Sequence, residues 1–161
     1  MKNTEYKFED FLLNVEDVYK DFVDNINQKL LKKNYISKIE SKASGFFVSY
    51  SHPKTKRGIL NLLFRKKGLL VRIYGDNCNK YSDLLNKLPE NIINQIEKAG
   101  VCKRLINPES CNQKCPMGYD FYIGKKHYQK CRNSCFYLEF DTESIPFIVK
   151  IIDKEMKERE E

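Results

Sequence analysis

An antiparallel α+β fold is predicted by three observations. An apolar period near 3.6 runs over residues 8–30, a period of two replaces it over 35–74, and the strands come in hairpins and not as β-α-β units. In the first segment Phe8, Phe11, Leu12, Val15, Val18, Tyr19, Phe22, Val23, Ile26 and Leu30 recur at three- and four-residue steps. Acids (Glu9, Asp10, Glu16, Asp17) crowd its start and lysines (Lys29, Lys32, Lys33) its end, as the helix dipole favours. One long helix closing near Asn34 and lying on a sheet is expected.

Tyr35–Ile39 and Phe46–Ser51 then read as strands, followed by a turn at 53–58. Ile59–Arg65 and Leu69–Tyr74 flank Lys66-Lys67-Gly68, a tight link whose glycine supplies positive φ. Beyond Gly75-Asp76-Asn77, the residues Tyr81, Leu84, Leu85 and Leu88 predict a short helix. Pro89 opens another that carries Ile92, Ile93 and Ile96 and stops at Gly100. A Cys-rich loop leads to a second hairpin, Tyr119–Ile123 and His127–Cys131 around Gly124-Lys125-Lys126. Phe136–Phe140 alternates as a strand. Ser144 and Pro146 open a final helix with Phe147, Ile148, Ile151, Ile152 and Met156 inward and a fraying tail at 157–161. The expected organisation is a single domain over 1–161, its sheet covered by a long N-terminal and a C-terminal helix, with a Cys-rich subregion at 101–136.

The 161 residues are 41% hydrophobic and 12% aromatic, enough for a core and too much for general disorder. No apolar run approaches a membrane span, and the N-terminus lacks the apolar stretch of a secretory signal, so a cytosolic protein without membrane partners is predicted. Charge is unevenly spread. The chain carries 29 Lys and Arg against 22 Asp and Glu, a formal +7, and residues 41–138 hold 18 basic against 6 acidic groups. Between Glu40 and Asp76 there are eight basic residues and no acid. A positive field that dense attracts phosphorylated ligands, polyanions or acidic surfaces. Arg57, Arg65, Lys66, Lys67 and Arg72 are the candidate anion contacts, with Tyr50 and Tyr74 placed to stack on a base or ring.

Six cysteines fall at 78, 102, 111, 115, 131 and 135, five of them within 34 residues. In a cytosolic chain such clustering points to metal or redox chemistry more than to structural disulfides, and no C-x-x-C redox pair is present. Cys111 and Cys115, followed by Gly118, resemble a metal knuckle, and zinc takes four tetrahedral ligands with Zn–S near about 2.3 Å. Two quartets compete. Cys111, Cys115, Cys131 and Cys135 form matching C-x3-C pairs, but on one extended strand Cys131 and Cys135 stand about 13 Å apart, so this set needs a turn at 132–134. Cys102, Cys111, Cys115 and Cys131 need only that the end of the helix near 99 lie beside the knuckle. The second set is favoured, with Cys135 the alternate ligand or a small buried hydrophobe. Free, mostly buried thiols are the bland alternative. A closed site of four thiolates is structural and leaves no position for a reacting water.

Catalytic motifs are absent: no H-E-x-x-H, Walker A loop, nucleophile elbow or G-x-G-x-x-G occurs. His52 precedes a turn proline and His127 adjoins a lysine, both structural contexts. On one strand His127 and Cys131 lie about 13 Å apart, out of hydrogen-bond reach.

The run from Cys102 through Cys111, Cys115-Pro116-Met117-Gly118-Tyr119-Asp120-Phe121-Tyr122-Ile123-Gly124 and Tyr128-Gln129-Lys130-Cys131-Arg132 resembles a group of uncharacterised bacterial proteins. The order of elements is similar to that of small YdhG/YjbR-like α+β domains. The resemblance implies the fold and carries over no catalytic residue. Together the observations predict a non-enzymatic cytosolic binding module with a structural zinc and a basic face for an anionic ligand, nucleic acid included. A small-molecule-binding or protein-interaction domain is the alternative.

Overall fold

The computed structural model describes residues 5–66 and 68–160. They form an α+β fold and fall into two compact units, Met1–Val71 and Arg72–Glu161. Among the described residues no helix is long and apolar enough to cross a membrane.

In the first unit, α1 (Phe8–Leu12) and α2 (Asp17–Lys32) replace the single long helix that the period predicts. The interruption is local chemistry. The Asn14 side chain donates to Asp10 O at 3.0 Å, and Glu16 takes an extended ψ of 138°, which a continuing helix does not allow. The stripe survives in narrower form. Phe11, Val15, Val23, Ile26 and Leu30 are buried, whereas Val18 and Phe22 are 60% and 40% exposed. Asn34 closes α2 in the left-handed region, at φ 66°.

Strands β1 (Ile36–Lys42), β2 (Gly45–Ser51), β3 (Gly58–Arg65) and β4 (Gly68–Ile73) follow in sequence order. The meander is antiparallel, with Ile39 opposite Val48 and Val48 opposite Leu62. By alternation Phe46, Val48 and Tyr50 share one face of β2, and the register sets Leu62 and Leu60 beside the last two. Tyr50, 1% exposed, donates its hydroxyl to Asn27 Oδ1 of α2 at 2.7 Å. It is therefore a core residue and is not available to stack on a ligand, contrary to the sequence expectation. The run Ile59–Leu63 is buried at every position, the mark of a strand covered on both faces.

In the second unit the end of β4 pairs with β7 (Tyr137–Glu139) through the Ile73 N–H and Phe136 O, at 2.9 Å. The expected alternation holds, with Phe136, Leu138 and Phe140 buried and Glu139 exposed. A tight turn at Cys78–Tyr81 leads into α3 (Ser82–Leu85) and α4 (Glu90–Lys98), and α5 (Lys103–Ile106) opens the cysteine loop. Helix α4 is ended by an amine and not by a left-handed glycine. Lys130 Nζ donates to Glu97 O and Ala99 O, both at 2.9 Å. Strands β5 (Tyr119–Ile123) and β6 (Lys126–Lys130) make a separate hairpin, one residue earlier on its second arm than the sequence suggests.

The last helix, α6 (Ile145–Arg159), does not fray from residue 157 as its charge predicts. Arg159 ties its end down. Its Nε donates to Glu155 Oε2 at 2.8 Å, and its NH2 reaches Tyr74 O at 2.9 Å and Asp76 Oδ2 at 3.1 Å.

Candidate anion-binding cleft and cysteine loop

Within the first unit, Arg57 and Arg65, two of the five basic residues singled out in the sequence, stand at opposite ends of one strand. Arg57 precedes β3 and Arg65 ends it, so about 26 Å of extended chain separates them. Arg57 belongs to the 52–57 turn, where its N–H donates to Thr55 Oγ1 at 3.3 Å and its carbonyl accepts from His52 N–H at 2.8 Å. His52 organises that turn, its Nδ1 accepting the Lys54 and Thr55 N–H groups at 3.1 and 3.3 Å. Lys66 lies in the β3–β4 turn, and Lys67 lies outside the described residues. Arg72 belongs to the second unit, with Nε on Asn133 O at 2.8 Å and its guanidinium 4.9 Å from the Tyr137 ring centroid. Tyr74, the other proposed stacking residue, lies under the Arg132 guanidinium at 4.4 Å.

Arg65 is different. It lines a cleft of about 400 Å³ together with Asn14, Ser41, Ser44, Gly45, Phe46 and Phe64. The cleft forms for identifiable reasons. Gly45 turns the β1–β2 connection at φ 125°, a conformation that favours glycine, and the missing side chain lets the Phe64 ring lie close over the turn, where a Cβ would stand 3.1 Å from it. The apolar wall is held from behind, with Phe11 packed on Phe64 at 5.2 Å and Tyr6 edge-on to Phe46 at 5.0 Å. Arg65 NH1 donates to Ser44 Oγ at 3.2 Å and to Phe64 O at 3.3 Å. Among the described residues no carboxylate pairs with this guanidinium, and its Nε and NH2 donors have no acceptor. A cation with spare donors, two hydroxyls and two aromatic rings thus share one recess. Phe46 and Phe64 were not singled out by sequence reasoning, although both stand where an alternating strand meets a turn.

Among the described residues no three His, Cys, Asp or Glu side chains converge as a metal-holding group, and all six cysteines are free. The backbone nevertheless brings Cys102 and Cys131, two members of the favoured quartet, together. The Cys102 N–H donates to Gln129 O at 3.0 Å and the Cys131 N–H to Gly100 O at 2.7 Å, flanking a bridge between Val101 and Lys130. Cys102 and Cys131 therefore stand diagonally on the same face of that ribbon. The Gly118 N–H donates to Cys102 Sγ at 3.2 Å, and Arg104 NH1 donates to Cys115 O. The turn that the other quartet needs is also present, with Cys135 N–H on Cys131 O at 2.9 Å, but Cys135 itself is wholly buried. Burial, then the nearby Cys78, pushes its thiol well up.

Two further polar clusters went unforeseen. Glu155, 0% exposed, accepts from Asn77 N–H and Nδ2, Tyr81 OH and Arg159 Nε at 2.8–3.0 Å, while Asp76 accepts from Arg132 and Arg159. The sequence signal was an acid on the apolar stripe of α6, seven residues after Ile148 and four after Ile151. On the outer face of the β5–β6 hairpin, Asp120 pairs with His127, whose ring stacks on Tyr122 at 4.7 Å. The His127 contact holds the Asp120 carboxyl below its ordinary range. Comparison with family models, curated proteins and solved structures finds no match to this chain.

Proposed function

We propose that the protein is a non-enzymatic binding module, cytosolic, whose first unit takes a small anionic ligand in the Arg65 cleft. The ligand class is a phosphate or carboxylate joined to a planar or apolar body. One observation carries this reading: an exposed guanidinium with unused donors opens onto the same recess as Ser41, Ser44 and the Phe46 and Phe64 rings. Arginine offers a planar fork matched to two anionic oxygens, and charge-assisted bonds of that kind are about twice as strong as neutral ones. The recess volume of about 400 Å³ is that of a small-molecule site. The acid-free stretch between Glu40 and Asp76 adds a favourable field. A structural zinc in the cysteine loop belongs to the same reading.

Isothermal titration with AMP tests it. The wild-type protein binds AMP, and Arg65→Ala weakens the binding tenfold or more without changing the circular dichroism spectrum. Equal affinity in the two proteins, or no heat with either, contradicts the reading. Nucleic acid as the natural ligand is favoured by the basic surplus of residues 41–138. In that case affinity for a labelled single-stranded oligonucleotide falls steeply with salt, because phosphate contacts release counterions.

A further inference from the structure

We infer that the protein pairs with a second copy of itself along the free edge of β1, antiparallel strand against strand, with the two-fold axis at Ile39. This edge lies wholly in the first unit, and its pairing does not depend on the ligand of the Arg65 cleft. Among the described residues β1 (Ile36–Lys42) stands at the end of its sheet and pairs only with β2. It is seven residues long, holds no proline, and keeps an unbroken register from Ile36 opposite Ser51 to Lys42 opposite Gly45. A regular edge of that kind is a template for another strand. The lysines that commonly guard an edge are here drawn to a carboxylate of the same strand. Lys38 Nζ and Lys42 Nζ lie 3.1 and 2.6 Å from the Glu40 carboxylate oxygens. Ile36, at the start of the strand, is left 43% exposed.

The ladder shows which backbone groups are open. The His52 N–H donates to Arg57 O at 2.8 Å, and along a strand the bonding groups of successive residues point to alternate sides. Even-numbered residues of β2 therefore bond to β3 and odd-numbered ones to β1, where their partners are Ile36, Lys38, Glu40 and Lys42. Ser37, Ile39 and Ser41 direct their N–H and C=O away from the sheet. Pairing two copies about Ile39 sets Ser37 opposite Ser41 of the partner subunit and Ile39 opposite Ile39 of the partner subunit, so all of these groups bond. On the other face Lys38 meets Glu40 of the partner subunit, Glu40 meets Lys38 of the partner subunit, and the Lys42 stem crosses Ile36 of the partner subunit. Charge complementarity selects this register. Centring the pair on Lys38 or on Glu40 puts like charges opposite each other, and centring it on Ser41 runs the pairing into the turn at 43–44. A slip of one residue lays the core face of one copy, which carries Ile39 beside Val48, against the outer face of the other. One strand pair buries little area, so the dimer is weak and reversible.

Sedimentation velocity at concentrations up to millimolar, on the wild type and on Ser37→Pro, Lys38→Glu and Glu40→Lys, tests the pairing. The wild type is expected to sediment as a monomer–dimer equilibrium. Ser37 is exposed and its N–H has no acceptor among the described residues, so proline there removes an edge donor and leaves the ladder to β2 intact. Ser37→Pro is expected to weaken association by about tenfold or more with an unchanged circular dichroism spectrum. Lys38→Glu and Glu40→Lys each set like charges opposite each other, and each alone is expected to stay monomeric. An equimolar mixture of those two variants associates again, because every carboxylate of one chain then faces an amine of the other. A wild type that stays monomeric overturns the self-pairing, and an extended peptide of another protein then becomes the occupant to seek. Dimers that survive Ser37→Pro unchanged place the contact elsewhere and also overturn it. A mixture no more associated than its two components overturns the register about Ile39.

Discussion

A guanidinium carries five donors, and where they go separates structural arginines from binding ones. Arg159 spends its donors on Glu155, Asp76 and the Tyr74 carbonyl, and its side chain is 8% exposed. That is a fastening for α6. Glu155→Ala leaves this charge without its buried partner, and a loss of about 3–5 kcal/mol is expected by urea denaturation. Among the described residues Arg65 engages only NH1, so Arg65→Ala is expected to leave the stability within about 0.5 kcal/mol of wild type while weakening AMP binding tenfold or more. Glycines divide in the same way. Gly118→Ala drives a Cβ into Lys130 O and the Cys102 side chain, so the loop must open, at a cost of about 2–4 kcal/mol. Gly68→Ala meets nothing within 4 Å at φ 109°, so it costs only backbone strain, about 1 kcal/mol. Comparing the two in one denaturation series checks the close-approach argument.

At the scale of elements, burial and periodicity agree closely enough to rank substitutions on α2. Val23→Ala and Leu30→Ala remove wholly buried side chains, and costs of about 2–4 kcal/mol are expected. Val18→Ser, on the exposed part of the same sequence stripe, is expected to change stability by no more than about 0.5 kcal/mol. A large loss at Val18 contradicts the division of the N-terminal helix. These contrasts also show what was legible from sequence. The α+β class, the hairpins and the in–out pattern of β7 follow from apolar period and turn residues, which act locally. The break at 13–16, the lysine cap on α4 and the firm end of α6 were not legible. Each depends on one side chain reaching a partner distant in sequence or on a local bond of Asn14. The cleft was half legible: Arg65 by charge, but Phe46, Phe64 and Ser44 only through the pairing of β2 with β3 and the turn at Gly45.

For the whole molecule, buried acids set the alkaline limit of stability. Burial, then the charges of Glu155 and Asp76, pushes the Cys78 thiol from 9.0 up to about 12. The folded chain thus keeps a proton that the unfolded chain gives up. Stability from this group is complete below about pH 9 and declines as pH rises toward about 12, by up to about 1.4 kcal/mol per pH unit. Cys135, Tyr81, Tyr119 and Tyr50 are displaced in the same direction, chiefly by burial. Thermal denaturation between pH 7 and 11 is expected to show a falling midpoint above about pH 9, and a flat profile contradicts this burial pattern. Burial therefore keeps Cys78, Cys135, Tyr50, Tyr81 and Tyr119 protonated inside, and the proposed function requires only that the spare donors of Arg65 be available to an anion. The most direct measurement of that availability is a backbone-amide NMR titration of the intact chain with AMP. Shifts gathered at Asn14, Ser41, Ser44, Gly45, Phe46 and Arg65, and lost in Arg65→Ala, are the predicted result; shifts centred elsewhere, or none at millimolar AMP, contradict it.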